Sequence, residues 1–92
     1  MYSFLFKLVS EFLGTFLLML SVLVSGGNAI VIGATLALIV FLTGGISGAV
    51  VNPALAIGLL TANQFPYRNI IGYILVQILG AIAAVYAFKY AS

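Results

Sequence analysis

Long apolar runs separated by short clusters of Gly, Asn and Pro set the pattern of this chain. Three runs, from about 4 to 25, 29 to 43 and 69 to 88, are rich in Leu, Ile, Val, Ala and Phe. Each reads as a helix able to cross a membrane, the second with some extension at either end, because about 20 residues at about 1.5 Å each cover a hydrocarbon core of roughly 30 Å. Only Gly26, Gly27 and Asn28 separate the first two runs. The pair is therefore predicted to form a tight antiparallel hairpin, with Gly and Asn at the positive-φ turn positions. The stretch "TANQFPYRN", residues 61 to 69, reads as an interfacial turn carrying an aromatic and a basic anchor, Tyr67 and Arg68, just before the third run.

Residues 44 to 58, "GGISGAVVNPALAIG", do not fit the pattern of spans. Each helix breaker there frees backbone groups that lipid cannot satisfy. Asn52 is a good N-cap and Pro53 a favoured first helical residue, so a helix is predicted to start at this pair. Its apolar tail "NPALAIGLL", residues 52 to 60, reaches only about half a bilayer. Periodicity alone also allows an exposed loop at 44 to 52 followed by the start of a longer third helix. The turn signals at 63 to 68 isolate a half-length helix instead. The expectation is an all-α membrane chain with three transmembrane helices and one re-entrant segment, 44 to 61, in which irregular chain descends to a half-helix.

Composition narrows the class. The 92 residues are 65% hydrophobic and 4% charged, and the mean hydropathy is +1.38. A water-soluble domain of this size has no interior to hide such a sequence in. The net charge of +2 comes from three basic residues and one acid, so a nucleic-acid partner has no electrostatic footprint. With no Cys and no His, disulfides, thiol chemistry and the usual zinc or haem ligands are excluded, and Met19 with the lone Glu11 makes no metal site. Lys7 ahead of the apolar run 12 to 24, followed by Ser25, Gly26 and Gly27, also has the outline of a signal peptide. Glu11 inside that segment, and the incomplete bundle its removal would leave, speak against it.

Among individual residues, Glu11 is a functional candidate by default, as any intramembrane acid is. Gly44 with Gly48, and Gly80 with Ala84, are small-xxx-small pairs expected to let helices approach closely. Lys7, Arg68, Lys89, Tyr2, Tyr67 and Tyr90 read as interfacial anchors, with lipid as the surrounding partner.

Four sequence elements in order resemble the first repeat of the aquaporin and glycerol-facilitator family: "EFLGTF" from Glu11 to Phe16, "GGISG" from Gly44, Asn52-Pro53-Ala54, and "GYILVQILGA" from Gly72 to Ala81. Together they cover nearly all of the chain. The resemblance implies half of an aquaporin fold, residues 1–92 forming a single half-repeat of a multi-pass integral membrane protein. It further implies a passive channel for water or small neutral solutes, without cofactor, metal or enzymatic activity. The carbonyls of Gly48, Ala49, Val50 and Val51 are then expected to line the pore, with the Asn52 amide and the helix start at Pro53 and Ala54 at its midpoint and Ile32 aligned with the filter aromatic of the second helix. Glu11 and Gln77 are expected to brace the loop.

The chain also departs from the family. Leu55 stands where the second repeat's motif is followed by Arg, and Gly45 and Val50 stand where histidines often occur. These changes imply a wider, more apolar filter than that of a strict water channel. Family members carry two inverted repeats, so a working pore is expected to need a homo-oligomer whose unit is an antiparallel dimer. Two alternatives are a non-conducting structural or accessory membrane protein, and one half of a split channel that needs a second-half partner.

Overall fold

Ser3 opens the first helix, its hydroxyl accepting from the Phe6 amide at 3.1 Å. In the computed structural model, which describes residues 1–91, helix α1 runs from there over Phe4–Ser25. Gly26 ends it in the left-handed conformation (φ 66°), and the amide of Gly27 (φ 84°) reaches back to the Val22 carbonyl at 2.9 Å. These positive-φ positions suit glycine. Asn28 then caps α2 (Ala29–Thr43), its side-chain oxygen accepting from the Ile30 and Val31 amides. After an irregular stretch come α3 (Pro53–Thr61), a 3-10 turn (Tyr67–Asn69) and α4 (Ile70–Ala91). No strand occurs among the described residues.

Two segments are long and apolar enough to cross a membrane, Phe4–Ser25 with 22 residues and Tyr67–Ala91 with 25. Helix α2 is apolar but has 15 residues, about 22 Å of rise. Its coil continues beyond Thr43: Gly44 keeps right-handed dihedrals (φ −57°, ψ −38°), and the amides of Ile46 and Ser47 both bond the Thr43 carbonyl.

Helices α1 and α4 lie parallel. Gly72 faces Phe4 and Leu8, and Gly80 faces the backbone of Phe12 and Phe16, so their first halves meet. A Cβ on Gly80 would stand 2.5 Å from the Phe12 carbonyl oxygen; this crossing needs a residue without a side chain. Helix α2 returns antiparallel along α1, with Gly14 beside Ile39 near its far end and Val24 beside Val31 near the hairpin. Helix α3 packs on α4. Ser47 and Gln64 line the same pocket as Lys7 and Asn69. The chain between 47 and 64 therefore leaves and returns at the end of the bundle where α1 and α4 begin.

Gly44 and Gly48 are not the close-packing pair that their spacing suggests. Gly48 has φ +89°, and a Cβ there would meet only Val50 Cγ2 of its own loop at 3.8 Å, so its glycine serves the backbone conformation and not a helix contact.

The interior is unusual in what it holds. The largest fully buried side chains are Tyr73, Gln77 and Glu11, whereas Phe41 is 84% and Ile30 80% exposed. Lipid solvates apolar side chains as well as a protein core does, so burial inside the bundle falls to the polar groups that lipid cannot satisfy.

Candidate functional site

The face of α1 that meets the rest of the chain carries Ser10, Glu11, Gly14 and Thr15, all buried. On α4 the buried residues are Tyr73, Gln77, Gly80 and Ala84, one helical face at spacings of four, three and four. The irregular segment 47 to 52 runs against these faces. Val51 packs with Ile39, Ala49 and Leu18 on one side, and Val50 packs with Ala56, Tyr73 and Leu8 on the other.

Glu11 is the hub. Its Oε2 accepts from the Ser47 hydroxyl at 2.6 Å and the Val50 amide at 3.0 Å, while Oε1 accepts from the Val51 amide at 2.7 Å and Gln77 Nε2 at 2.9 Å. Four donors on two oxygens use the acceptor capacity of a carboxylate and leave no direction free for an ion. Burial of a carboxylate costs several kcal/mol unless such partners compensate it. Hydrogen bonds to a charged group contribute about 1.5–3 kcal/mol each.

The loop bends to present those amides. Gly48, Ala49 and Val51 all have positive φ, 89°, 49° and 45°. Left-handed dihedrals within a short run turn successive N–H groups toward one anion, the arrangement called a nest. For a β-branched residue such as Val51 this conformation is an outlier costing about 1–3 kcal/mol, and the carboxylate is what holds it. Ser47 assists twice, as its Oγ accepts from the Ala49 amide at 3.3 Å and its carbonyl accepts from the Tyr73 hydroxyl at 2.8 Å. Gly14 makes room: a Cβ there would stand 2.8 Å from Val51 Cγ1.

With the amides turned onto Glu11, the carbonyls of Gly48, Ala49, Val50 and Val51 receive no hydrogen bond from any described residue. Asn52, exposed and extended (φ −161°), directs its Oδ1 to the Ala54 amide at 2.7 Å and so caps α3, with Pro53 at the first helical position. That cap fixes the amide's orientation. The oxygen faces the helix, and the NH2 group faces away without a partner among the described residues. Pro53 is half-buried and Ala54 exposed. Ile32 lies half-buried in the first turn of α2, at the hairpin end and away from the Glu11 cluster. Gln77 reaches the loop only through the Glu11 carboxylate.

Ser47 and Tyr73 belong to the same constellation, although neither stands out as a polar candidate in the sequence. Tyr73 lies four residues before Gln77, on the same face of a helix that is otherwise apolar, and that spacing is the signal that marks it.

A chain that is apolar outside, polar inside and bent around one acid has relatives of known family. The family model for the major intrinsic protein matches residues 1–92. Aquaporin NIP1-1 of Arabidopsis thaliana is 34% identical over 94 residues, covering 88% of this chain and 32% of its own length. Aquaporin NIP3-1 of Oryza sativa subsp. japonica is 35% identical over 96 residues, covering 90% of this chain and 31% of its own length. Glycerol uptake facilitator protein-like 6 of Lactiplantibacillus plantarum is 37% identical over 91 residues, covering 90% of this chain and 42% of its own length. The chain thus spans about a third to two-fifths of the length of these relatives. The chain belongs to the major intrinsic protein family.

Proposed function

We propose that this chain contributes half of a passive pore for water or a small neutral solute such as glycerol, and that a second copy in antiparallel orientation supplies the other half. Family membership supports an integral membrane channel for water or small solutes in general. The observation that carries the reading to particular residues is the division of hydrogen-bonding capacity in the loop. The amides of Val50 and Val51 are spent on Glu11, while the carbonyls of residues 48 to 51 and the Asn52 NH2 group are unspent and adjacent. A file of acceptors ending in a donor replaces, step by step, the hydrogen bonds a neutral solute loses on leaving water.

In this reading α1, α2 and α4 cross the membrane, and the whole of residues 1–92 acts as one half-repeat. Segment 44 to 61 enters and leaves by the same face. Helix α3, nine residues long, rises about 14 Å, under half of the hydrocarbon core. Its N-terminus brings roughly half a positive elementary charge toward the midplane, which opposes cations and leaves neutral solutes unaffected. The unpaired carbonyls support the need for a partner, since each would cost several kcal/mol against lipid.

The test is stopped-flow osmotic shrinkage of proteoliposomes holding this chain alone, with glycerol uptake measured alongside. Flux above empty vesicles, with the activation energy of a pore, is expected. No flux from folded, inserted chain would overturn the homomeric pore. Flux that appears only after a second-half polypeptide is supplied would assign the chain to a split channel.

A further inference from the structure

The end of the bundle where α1 and α4 begin holds a pocket of about 290 Å³ that borders the pore loop at Gly48 and Val50 and adds side chains the pore reading leaves unassigned. This size is at the lower edge of small-molecule sites. Lys7, Gln64 and Asn69 supply its free polar side chains, Leu59, Phe65 and Tyr73 its apolar lining, and the loop residues Ser47, Gly48 and Val50, with the Ser47 hydroxyl already bonded to Glu11, close one side. We infer that this pocket binds the phosphate group of an anionic phospholipid, with Lys7 as the charged donor and Gln64 and Asn69 as amide donors.

The pocket gathers unmet donors. Lys7 makes no salt bridge among the described residues. The sequence has one acidic residue, Glu11, and its oxygens are filled by Ser47, Val50, Val51 and Gln77. The Gln64 and Asn69 side chains likewise make no hydrogen bond with any described residue. Three side chains able to donate therefore line one cavity, and among the described residues no acidic side chain is free to answer them. An acceptor-rich monoanion fits that set, and phosphate oxygens suit a lysine and amides together.

The pocket also has an apolar wall. Phe65 stands edge-on to the Tyr73 ring at 4.8 Å, and Leu59 packs in the same cluster. A free inorganic anion has nothing to gain from that wall, whereas the glycerol and first acyl carbons of a lipid do. Position agrees, because Tyr67 and Arg68 beside the pocket have the character of interfacial anchors. Basic pockets between membrane helices are where lipid headgroups are recognised. The inference goes beyond the pore and stands whether or not the chain conducts, because it is read by binding and not by flux.

The experiment follows the thermal unfolding midpoint of the full chain in neutral detergent, titrated with short-chain phosphatidylglycerol, phosphatidylcholine of the same chain length, or inorganic phosphate. Saturable stabilisation by phosphatidylglycerol is expected, with little from the other two. Lys7→Gln should raise the half-saturating concentration about tenfold, as loss of a charged hydrogen bond does. Lys7→Arg should restore most of the affinity, and Lys89→Gln, at the far end of α4, should leave it unchanged. Asn69→Leu supplies a second variant should Lys7→Gln fold poorly by circular dichroism. Equal stabilisation by phosphatidylcholine, or an unchanged titration in both Lys7→Gln and Asn69→Leu, would overturn the site. Equal stabilisation by inorganic phosphate would uphold an anion site and overturn its assignment to lipid.

Discussion

Gln77 donates its Nε2 to Glu11 Oε1 at 2.9 Å, joining residues 66 apart in sequence, and its own Oε1 stays buried without a partner among the described residues. The amide cannot be turned to satisfy that oxygen, since only its NH2 side can face a carboxylate. The helix pair thus accepts one orphaned oxygen to complete the four-donor shell of the acid.

The two residues are expected to differ in what their loss costs. Glu11→Gln puts an NH2 group where one acceptor oxygen stood, facing the Val50 or Val51 amide, which cannot accept, and so loses at least that bond and the charge that strengthens the others. The destabilisation should be about 3 kcal/mol or more. Gln77→Met removes one donor and the orphaned oxygen together, and should cost less, about 1–2 kcal/mol. Hydrogen exchange separates a local from a global effect. The Val50 and Val51 amides should lose protection in Glu11→Gln well before α1 and α4 do. Retained protection there would show that the carboxylate does not hold the loop.

Glycine substitutions should separate packing from conformation. Gly80→Ala drives a methyl group to 2.5 Å from the Phe12 carbonyl oxygen, which is backbone and cannot swing aside. Helices α1 and α4 must part, at about 1–3 kcal/mol or more. Gly48→Ala meets no close atom but places a side chain at φ +89°, costing about 1–3 kcal/mol without moving the helices. Cysteine cross-linking between α1 and α4 should therefore slow in Gly80→Ala and stay unchanged in Gly48→Ala.

Asn52 caps α3 with its oxygen and presents its NH2 group outward. Asn52→Leu loses both, and should cost about 0.5–2 kcal/mol and abolish solute flux. Asn52→Asp keeps the capping oxygen, so stability should hold, but it replaces the donor with negative charge. Neutral flux should fall or cations should enter. Wild-type water permeability in both variants would place residue 52 outside any pore.

Helix boundaries are legible in this sequence because their causes are local. Ser3, Asn28 and Asn52 are side chains that cap their own helices, and Gly26 ends α1 by its own dihedral freedom. The site is less legible. In a soluble protein the apolar stripe identifies a buried face, but here lipid allows every face to be apolar, so α4 reveals its inner face through the polar Tyr73 and Gln77 and the small pair Gly80 and Ala84. The bond from Tyr73 to the Ser47 carbonyl has no local signature. The left-handed dihedrals of Ala49 and Val51 run against the preference of both residues. The Val51 amide answers an acid 40 positions away, and the Ala49 amide the Ser47 hydroxyl that donates to the same acid, a tertiary demand that overrides local propensity.

The last expectation concerns assembly. In one chain the carbonyls of residues 48 to 51 have no donor among the described residues, and Asn52, Ala54 and Leu55 are exposed at the start of α3. A parallel ring would set every half-helix in one half of the membrane and leave the other half of the pore without polar lining. An antiparallel pair brings two α3 N-termini and two Asn52 side chains together about a two-fold axis in the membrane plane. The basic residues allow both insertions: Lys7 and Arg68 near one face against Lys89 near the other is a weak orientational bias. Cysteine at Asn52 should therefore cross-link to its own counterpart in a second chain. Impermeant labelling at Ser3→Cys should reach both faces across the population, and Asn63→Cys should always report the same face as Ser3→Cys, with Asn28→Cys opposite. Chains cross-linked at 52 whose N-termini all lie on one face would rule out the antiparallel pair, and label at 63 opposite 3 would make segment 44 to 61 a full crossing.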